Sequence, residues 1–521
     1  MKRTMKARRK KQEARRQGSK KPPAGFKPGA LKEDPATVDR AFVSMCLGAN
    51  ELGDGLLFAA LLRHRFIFNK SAQEWFCWVG HHFERDIKAT ALSAVEVVTA
   101  RYLAEAAELQ GEITQAIIKK DDEKQKQLMG IQKAIYDRVK RLRSRDKRKN
   151  CLEFAHTNNT DALHCTGDDL DKDPWLLACE NGVISLRTGE LHPGRQTDLI
   201  TKASPVEFKG IDEPAPAWEK ALIEIFNGDK DLVEYVQRLF GYAMTGLNKE
   251  NILPILWGQG RNGKTTIVEI ISQILGPLAG PIQSEMLLDQ GRGRSSAGPS
   301  PDIMSLRGMR VVFGSESDEG RKFSPSRVKW LSGSDSLVGR SPHDRYETTF
   351  KPTHTLILLT NHKPHAPVTD FAFWERVHLV PFELSFVNRP PKGENERAAD
   401  LSLSEKLQPE LSGILAWLIR GCIRWQEMGL APPKSVRDAT EEYRRDEDLL
   451  ADFLDECCHI ADKTEVGASA IYDAFKEWMA ENISKRSVIS QKNFGKMMKG
   501  RFDKVKRGTY FYKGLRLLGG L

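Results

Sequence analysis

The chain has 521 residues, of which 40% are hydrophobic and 29% charged, enough for about three or four domains and more than one core. No apolar run is long enough to span a bilayer and no apolar signal core follows the basic N-terminus, so a cytoplasmic protein, in a bacterial host, is expected. The formal charge of +10 resides in residues 1–21, which hold eleven Lys or Arg against the single Glu13; the remaining charges cancel.

That basic tail, running to residue 38 through Pro22-Pro23, is too charged to fold alone and is suited to phosphate contacts that weaken with salt. The eight cysteines include no C-x-x-C pair and read as reduced, mostly buried thiols. Residues 38–63 predict a helix, and 66–68 with 74–78 predict two strands around the turn at 69–71. His81, His82 and Glu84 lack a second cluster at ligand spacing and read as surface residues. Residues 87–148 carry no proline and favour long helices; the basic run 138–149 closes them as a solvated helix end or a DNA contact.

From Leu176 to Leu191 short strands alternate with turns at Asn181-Gly182 and Thr188-Gly189, a hairpin pattern. The stretch LLACENGVISLRTGEL, the Thr201 region and LFGYAMTG at 239–246 resemble the N-terminal domain of phage, plasmid and poxvirus primase-helicases, over roughly residues 40–250. An accessory α+β domain is therefore expected over 39–215.

Gly258-Gln259-Gly260-Arg261-Asn262-Gly263-Lys264-Thr265 then fits the G-x-x-x-x-G-K-[ST] phosphate loop. Its glycines let backbone N–H groups curl round a polyphosphate, the lysine reaches the outer phosphates, and the hydroxyl holds Mg²⁺. Ile255-Leu256-Trp257 leads in as a strand starting at Pro254. Thr266 opens a helix with Ile267, Ile270, Ile271 and Ile274 at helical spacing, stopped by Gly276-Pro277. The nucleotide-binding set is thus Gly258 to Thr266, with ATP and Mg²⁺ as ligands.

Further strands are predicted at 309–315, 355–360 and 377–382, each with polar groups at its edge: Glu316 and Asp318, Asn361, and Arg376 ahead of the last. A carboxylate at the first strand end can hold Mg²⁺ or orient the attacking water, and an amide at Asn361 can polarise that water. Their order resembles the superfamily 3 helicases, a branch of the AAA+ ATPases. The resemblance implies an α/β AAA+ core over 216–430. In it Lys264 and Thr265 match the phosphate-loop pair, Glu316 and Asp318 the acidic motif, Asn361 the sensor, and Arg376 an arginine finger. Ser317 separates the acids, leaving open which of them orients the water and which, with Thr265, holds the metal. Lys329, Gly333 and Asp335 match the family's additional motif, and residues 340–351 resemble its channel hairpin, so Lys329, Arg340, His343, Arg345 and Lys351 are assigned to DNA.

Residues 449–457, 468–483 and 490–499 predict three helices, and 504–517 a hairpin turning near Arg507-Gly508. Together they suggest a winged helix over 431–521, with Lys492 and Lys496 on the recognition helix and Lys506 and Arg507 on the wing. The implied protein is an ATP-driven replicative DNA helicase, a homo-oligomeric ring, hexameric as in the family it resembles, acting on single-stranded and forked DNA beside a primase or other replication partner, without primase activity of its own. The alternatives are an origin-binding switch or loader and, more distantly, a P-loop kinase of small molecules.

Overall fold

The computed structural model describes residues 38–157, 162–290, 299–315, 320–342, 346–482, 489–499 and 501–518. Residues 1–37 of the basic tail lie outside them. The chain divides into two units, the first running to Lys172 and taking in Arg195–Thr201, the second comprising the rest.

In the first unit, the helix expected over 38–63 is two helices, α1 (Arg40–Gly48) and α2 (Glu51–Leu62), because Asn50 takes a left-handed φ of 60° between them. Strands β1 (Phe66–Asn69), β2 (Glu74–Trp78) and β3 (Phe83–Arg85) form an antiparallel meander. Helices α3 (Thr90–Ile118), α4 (Asp122–Leu142) and α5 (Arg145–Thr157) follow, and β4 (His164–Cys165) returns parallel to β1. His82, expected at the surface, is buried, with its Nε2 3.7 Å from Glu84. The basic run stays largely exposed, as a solvated helix end would, and only Arg138 of its basic residues is buried. Arg138 pairs with buried Asp54 at 3.3 Å, Arg143 and Arg148 bracket Glu96 at 2.7 and 2.6 Å, and Lys147 meets Glu51. Tyr102 donates to the second Asp54 oxygen at 3.1 Å, so that carboxylate is doubly held; burial still raises its pKa to about 6.

The second unit begins with the predicted hairpin, β5 (Leu176–Cys179), β6 (Gly182–Ser185) and β7 (Leu191–His192). Leu177, Ile184 and Leu186 share one core with Ile267, Ile271 and Ile274 of the phosphate-loop helix, so this hairpin belongs with the nucleotide-binding sheet, not with the first unit. Helices α6 (Pro216–Ile225) and α7 (Lys230–Ala243) lead to β8 (Leu253–Trp257) and α8 (Lys264–Leu275). The strand therefore starts one residue earlier than expected, with Pro254 inside it, and the helix two residues earlier.

Next come β9 (Ala279–Gln283), β10 (Val311–Ser315), α9 (Pro325–Ser332), the small pair β11 (Leu337–Gly339) and β12 (Thr348–Phe350), and β13 (Thr355–Thr360). A single-turn helix α10 (Phe371–Trp374) precedes β14 (Val377–Pro381), followed by β15 (Ser385–Val387) and β16 (Glu396–Ala398). The central sheet is wholly parallel, ordered β14-β8-β13-β10-β9. Its strands read as near-continuous apolar runs because both faces are covered. Edge strand β9 was not expected, since Gly280-Pro281 reads as a turn.

Helix α11 (Leu411–Met428) packs on α7, and α12 (Lys434–Asp446) is anchored by Tyr443, which donates to the Pro364 carbonyl. The three predicted C-terminal helices are α13 (Leu449–Cys457), α14 (Ala468–Asn482) and α15 (Gln491–Lys499), with an unpredicted strand β17 (Cys458–Gly467) after the first. It joins β18 (Lys504–Arg507) and β19 (Thr509–Leu517) in a sheet ordered β17-β19-β18. Among the described residues no helix is long and apolar enough to cross a membrane.

Candidate nucleotide and DNA site

Between β8 and α8 the chain must reverse over a few residues, and the glycines permit it. Gly258 has φ +156° and Gly263 φ +89°. A Cβ at Gly258 would collide with the Phe382 carbonyl, and one at Gly263 would lie 2.7 Å from Ile225 Cδ1. The loop is tied to the sheet at three points: Gly258 N donates to Thr360 O (3.3 Å), Phe386 N to Arg261 O (2.7 Å), and the buried Asn262 amide faces Phe382 O at 3.5 Å. These braces from Ile225, Phe382 and Phe386 carry no sequence signal, because they are ordinary apolar residues far along the chain.

No side chain caps α8, so its first-turn N–H groups remain available to an anion at the positive end of the helix. Lys264 is buried and folds back, donating to the Gly258 carbonyl and to Asn361 Oδ1 at 3.1 Å. Burial alone lowers its pKa to about 8. Thr265 is exposed, as are Gln259, Gly260 and Arg261 at the loop's crown. Trp257, Ser315 and Thr360 end their parallel strands on one sheet edge, the carboxyl edge where α/β sheets bind ligands. The acids expected there, Glu316 and Asp318, lie outside the described residues.

Arg376 sits at the other end of this sheet. Its carbonyl accepts from Leu253 N at 2.6 Å, at the start of β8, whereas the phosphate loop leaves from Trp257. The strand between spans roughly 13 Å. Its Nη1 donates to Ala372 O at 2.7 Å, and its Nε has no partner among the described residues.

Of the residues assigned to DNA, Lys329 is engaged by Asp370, at 2.9 and 3.3 Å. Asp370 went unnoticed in the sequence, although an Asp directly ahead of a helix is a capping signal. Arg340 leads out of β11, its N–H donating to Ser300 Oγ at 3.0 Å, and Lys351, after β12, is exposed. His343 and Arg345 lie outside the described residues. In the C-terminal domain Lys492 and Lys496 are exposed on α15, whose Phe494 and Met498 face the core. Lys506 and Arg507 run into the exposed turn at Gly508; Arg507 pairs with Glu465 at 3.2 Å.

Two family models match this chain: D5 N terminal like, over residues 55–227, and Poxvirus D5 protein-like, over residues 445–514. Among curated relatives, putative helicase L207/L206 of Acanthamoeba polyphaga mimivirus is 27% identical over 440 residues, covering 81% of this chain and 45% of that protein. Putative helicase 022R of Frog virus 3 is 25% identical over 424 residues, covering 66% of this chain and 43% of the relative. Putative primase C962R of African swine fever virus is 25% identical over 391 residues, covering 67% and 38%. The chain thus spans less than half the length of these relatives. The apo C-terminal region of NrS-1 overlays at a TM-score of 0.43 with 10% identity, covering 87% of this chain and 96% of that one.

Proposed function

We propose that the chain is a D5-like primase-helicase with an AAA+-type core, an ATP-hydrolysing DNA helicase working as a ring, a hexamer as in the superfamily it resembles. The observation that carries the reading is the separation of Arg376 from its own phosphate loop, at opposite ends of paired parallel strands. An arginine so placed serves the nucleotide of an adjacent copy, and the ATP pocket is completed by assembly.

In the pocket, the uncapped start of α8 and Lys264 bind the phosphates, while the nucleoside end has room in a cleft of about 430 Å³ lined by Asn227, Phe386 and Arg397. The exposed Thr265 hydroxyl, with Glu316 or Asp318, would hold Mg²⁺, which when bound neutralises charge on the transferring phosphoryl group. Asn361 orients the attacking water once a phosphate draws Lys264 away from it. Arg376 of the neighbouring copy stabilises charge developing at the γ-phosphate, a contribution of about 10³ or more in rate. Single-stranded DNA is gripped by the segment between β11 and β12, and α15 with the wing adds duplex contacts.

The test is substitution of His343 and Arg345 together in the full chain. Fork unwinding should disappear while ATP hydrolysis persists. Unwinding that survives would reject translocation by this hairpin, and a parent that binds DNA without unwinding forks would favour the origin-binding switch.

A further inference from the structure

Arg376 follows α10, a single turn of four residues, which is too short to hold itself without help. Part of that help is the core, where Phe373 and Trp374 are buried, and part comes from Asp370. Its Oδ1 accepts from Phe373 N at 3.1 Å, and its carbonyl accepts from Phe373 and Trp374 N–H at 3.0 and 3.2 Å. The carboxylate is shared with Lys329, whose ammonium lies 2.9 Å from one oxygen and 3.3 Å from the other. From α10 the constraint passes to the arginine through the Ala372 carbonyl.

Lys329 belongs to α9, which runs into Gly333, held by the Asn248 amide, and then into β11 of the hairpin read as the DNA grip. The two side chains are 35% and 25% exposed. One ion pair therefore joins the helix feeding the hairpin to the turn that aims the arginine.

We infer that Lys329 and Asp370 are positioning residues that make the reach of Arg376 depend on the hairpin, so that DNA in the hairpin's grip sets ATP hydrolysis in the adjacent pocket. This rests on the reading of Arg376 given above. On this account Lys329 acts through Asp370 and not by touching DNA.

The experiment compares the parent with Lys329→Gln, Asp370→Asn and the double variant, as full chains at one assembling concentration. Asn at position 370 keeps an oxygen to cap α10 and removes only the charge. ATP hydrolysis is measured with and without a single-stranded oligonucleotide, alongside binding of a fluorescent ATP analogue and of the oligonucleotide. Both single variants should keep nucleotide and DNA affinity within about twofold and lose about tenfold of the DNA-stimulated rate, the double variant being no worse than either.

Parental stimulation in the variants would overturn the inference, as would a parent whose rate ignores DNA. So would weaker DNA binding in Lys329→Gln alone, which marks a direct contact, or an equal fall of basal and stimulated rates with a lowered Tm, which marks a structural role. Arg376→Ala separates the two levels. If that variant hydrolyses ATP normally, the functional reading fails; if it is inactive while Lys329→Gln and Asp370→Asn behave as the parent, only the coupling fails.

Discussion

Asn361 Oδ1 accepts a hydrogen bond from Lys264 Nζ at 3.1 Å, joining the end of β13 to the start of α8 across the mouth of the phosphate loop. In the free protein the lysine is thus occupied by an amide and a carbonyl, neither of which carries the charge that would favour its ammonium form.

The first prediction concerns pH. Burial lowers the Lys264 pKa from its ordinary 10.5 to about 8, so above that value the loop holds a neutral amine. A polyphosphate pairs with the ammonium form, so binding above pH 8 must take up a proton, and ATP affinity should fall about tenfold for each further pH unit. Calorimetry at pH 9 in buffers of different ionisation enthalpy measures the uptake directly. Lys264→Ala should lose this pH dependence together with hydrolysis and unwinding.

Arg376 offers a test of assembly. Arg376→Ala should bind ATP normally and hydrolyse it about 10³ times more slowly. Lys264→Ala chains are inactive for a different reason, yet each variant retains what the other lacks. Mixing the two should restore some hydrolysis in heterogeneous rings, and a mixture as inactive as its parts would mean that each arginine serves its own chain.

The glycines of the loop are not equivalent. An Ala at Gly258 meets the Phe382 carbonyl, and one at Gly263 meets Ile225 with a left-handed φ besides, whereas nothing lies within 4 Å of a Cβ at Gly260. Gly258→Ala and Gly263→Ala should each cost about 1–3 kcal/mol and weaken ATP binding. Gly260→Ala should leave Tm unchanged. Thermal melts with and without nucleotide read both effects.

In the first unit Arg138 and Asp54 form a pair whose side chains are only 8% and 2% exposed. Removing the arginine leaves a buried carboxylate with the Tyr102 hydrogen bond but no opposite charge, so Arg138→Ala should destabilise this unit by about 3–5 kcal/mol at pH 8. The sign with pH follows from the carboxyl. Its pKa is already raised to about 6 with Arg138 present and rises further without it, so the variant's carboxyl takes up its proton first, and the deficit should shrink as pH falls from 8 towards 6 and level off below. Denaturant melts at pH 8 and pH 5 test it.

Much of the loop can be read from the chain because its signals are local. Gly258 to Thr265 is one continuous stretch whose turn chemistry, flanking apolar strand and helix periodicity all act over a few residues, and three of the four other sheet strands announce themselves as apolar runs. The edge strand β9 did not, because Gly280-Pro281 suits a turn as well as an edge. Helix α2 was merged with α1 because nothing but the left-handed Asn50 separates them.

The local pattern is therefore written in the chain: a glycine loop of phosphate-loop form, helices and strands of the right period, and three C-terminal helices followed by a hairpin. Where distant side chains meet is settled by the folded packing. It turned Arg138 inward to Asp54, gave Lys329 to Asp370, set Asn361 against Lys264 and placed Arg376 at the far end of the sheet from the loop. The reason is that a charged side chain carries no mark of its partner; sheet order and register choose it, through residues dozens of positions away.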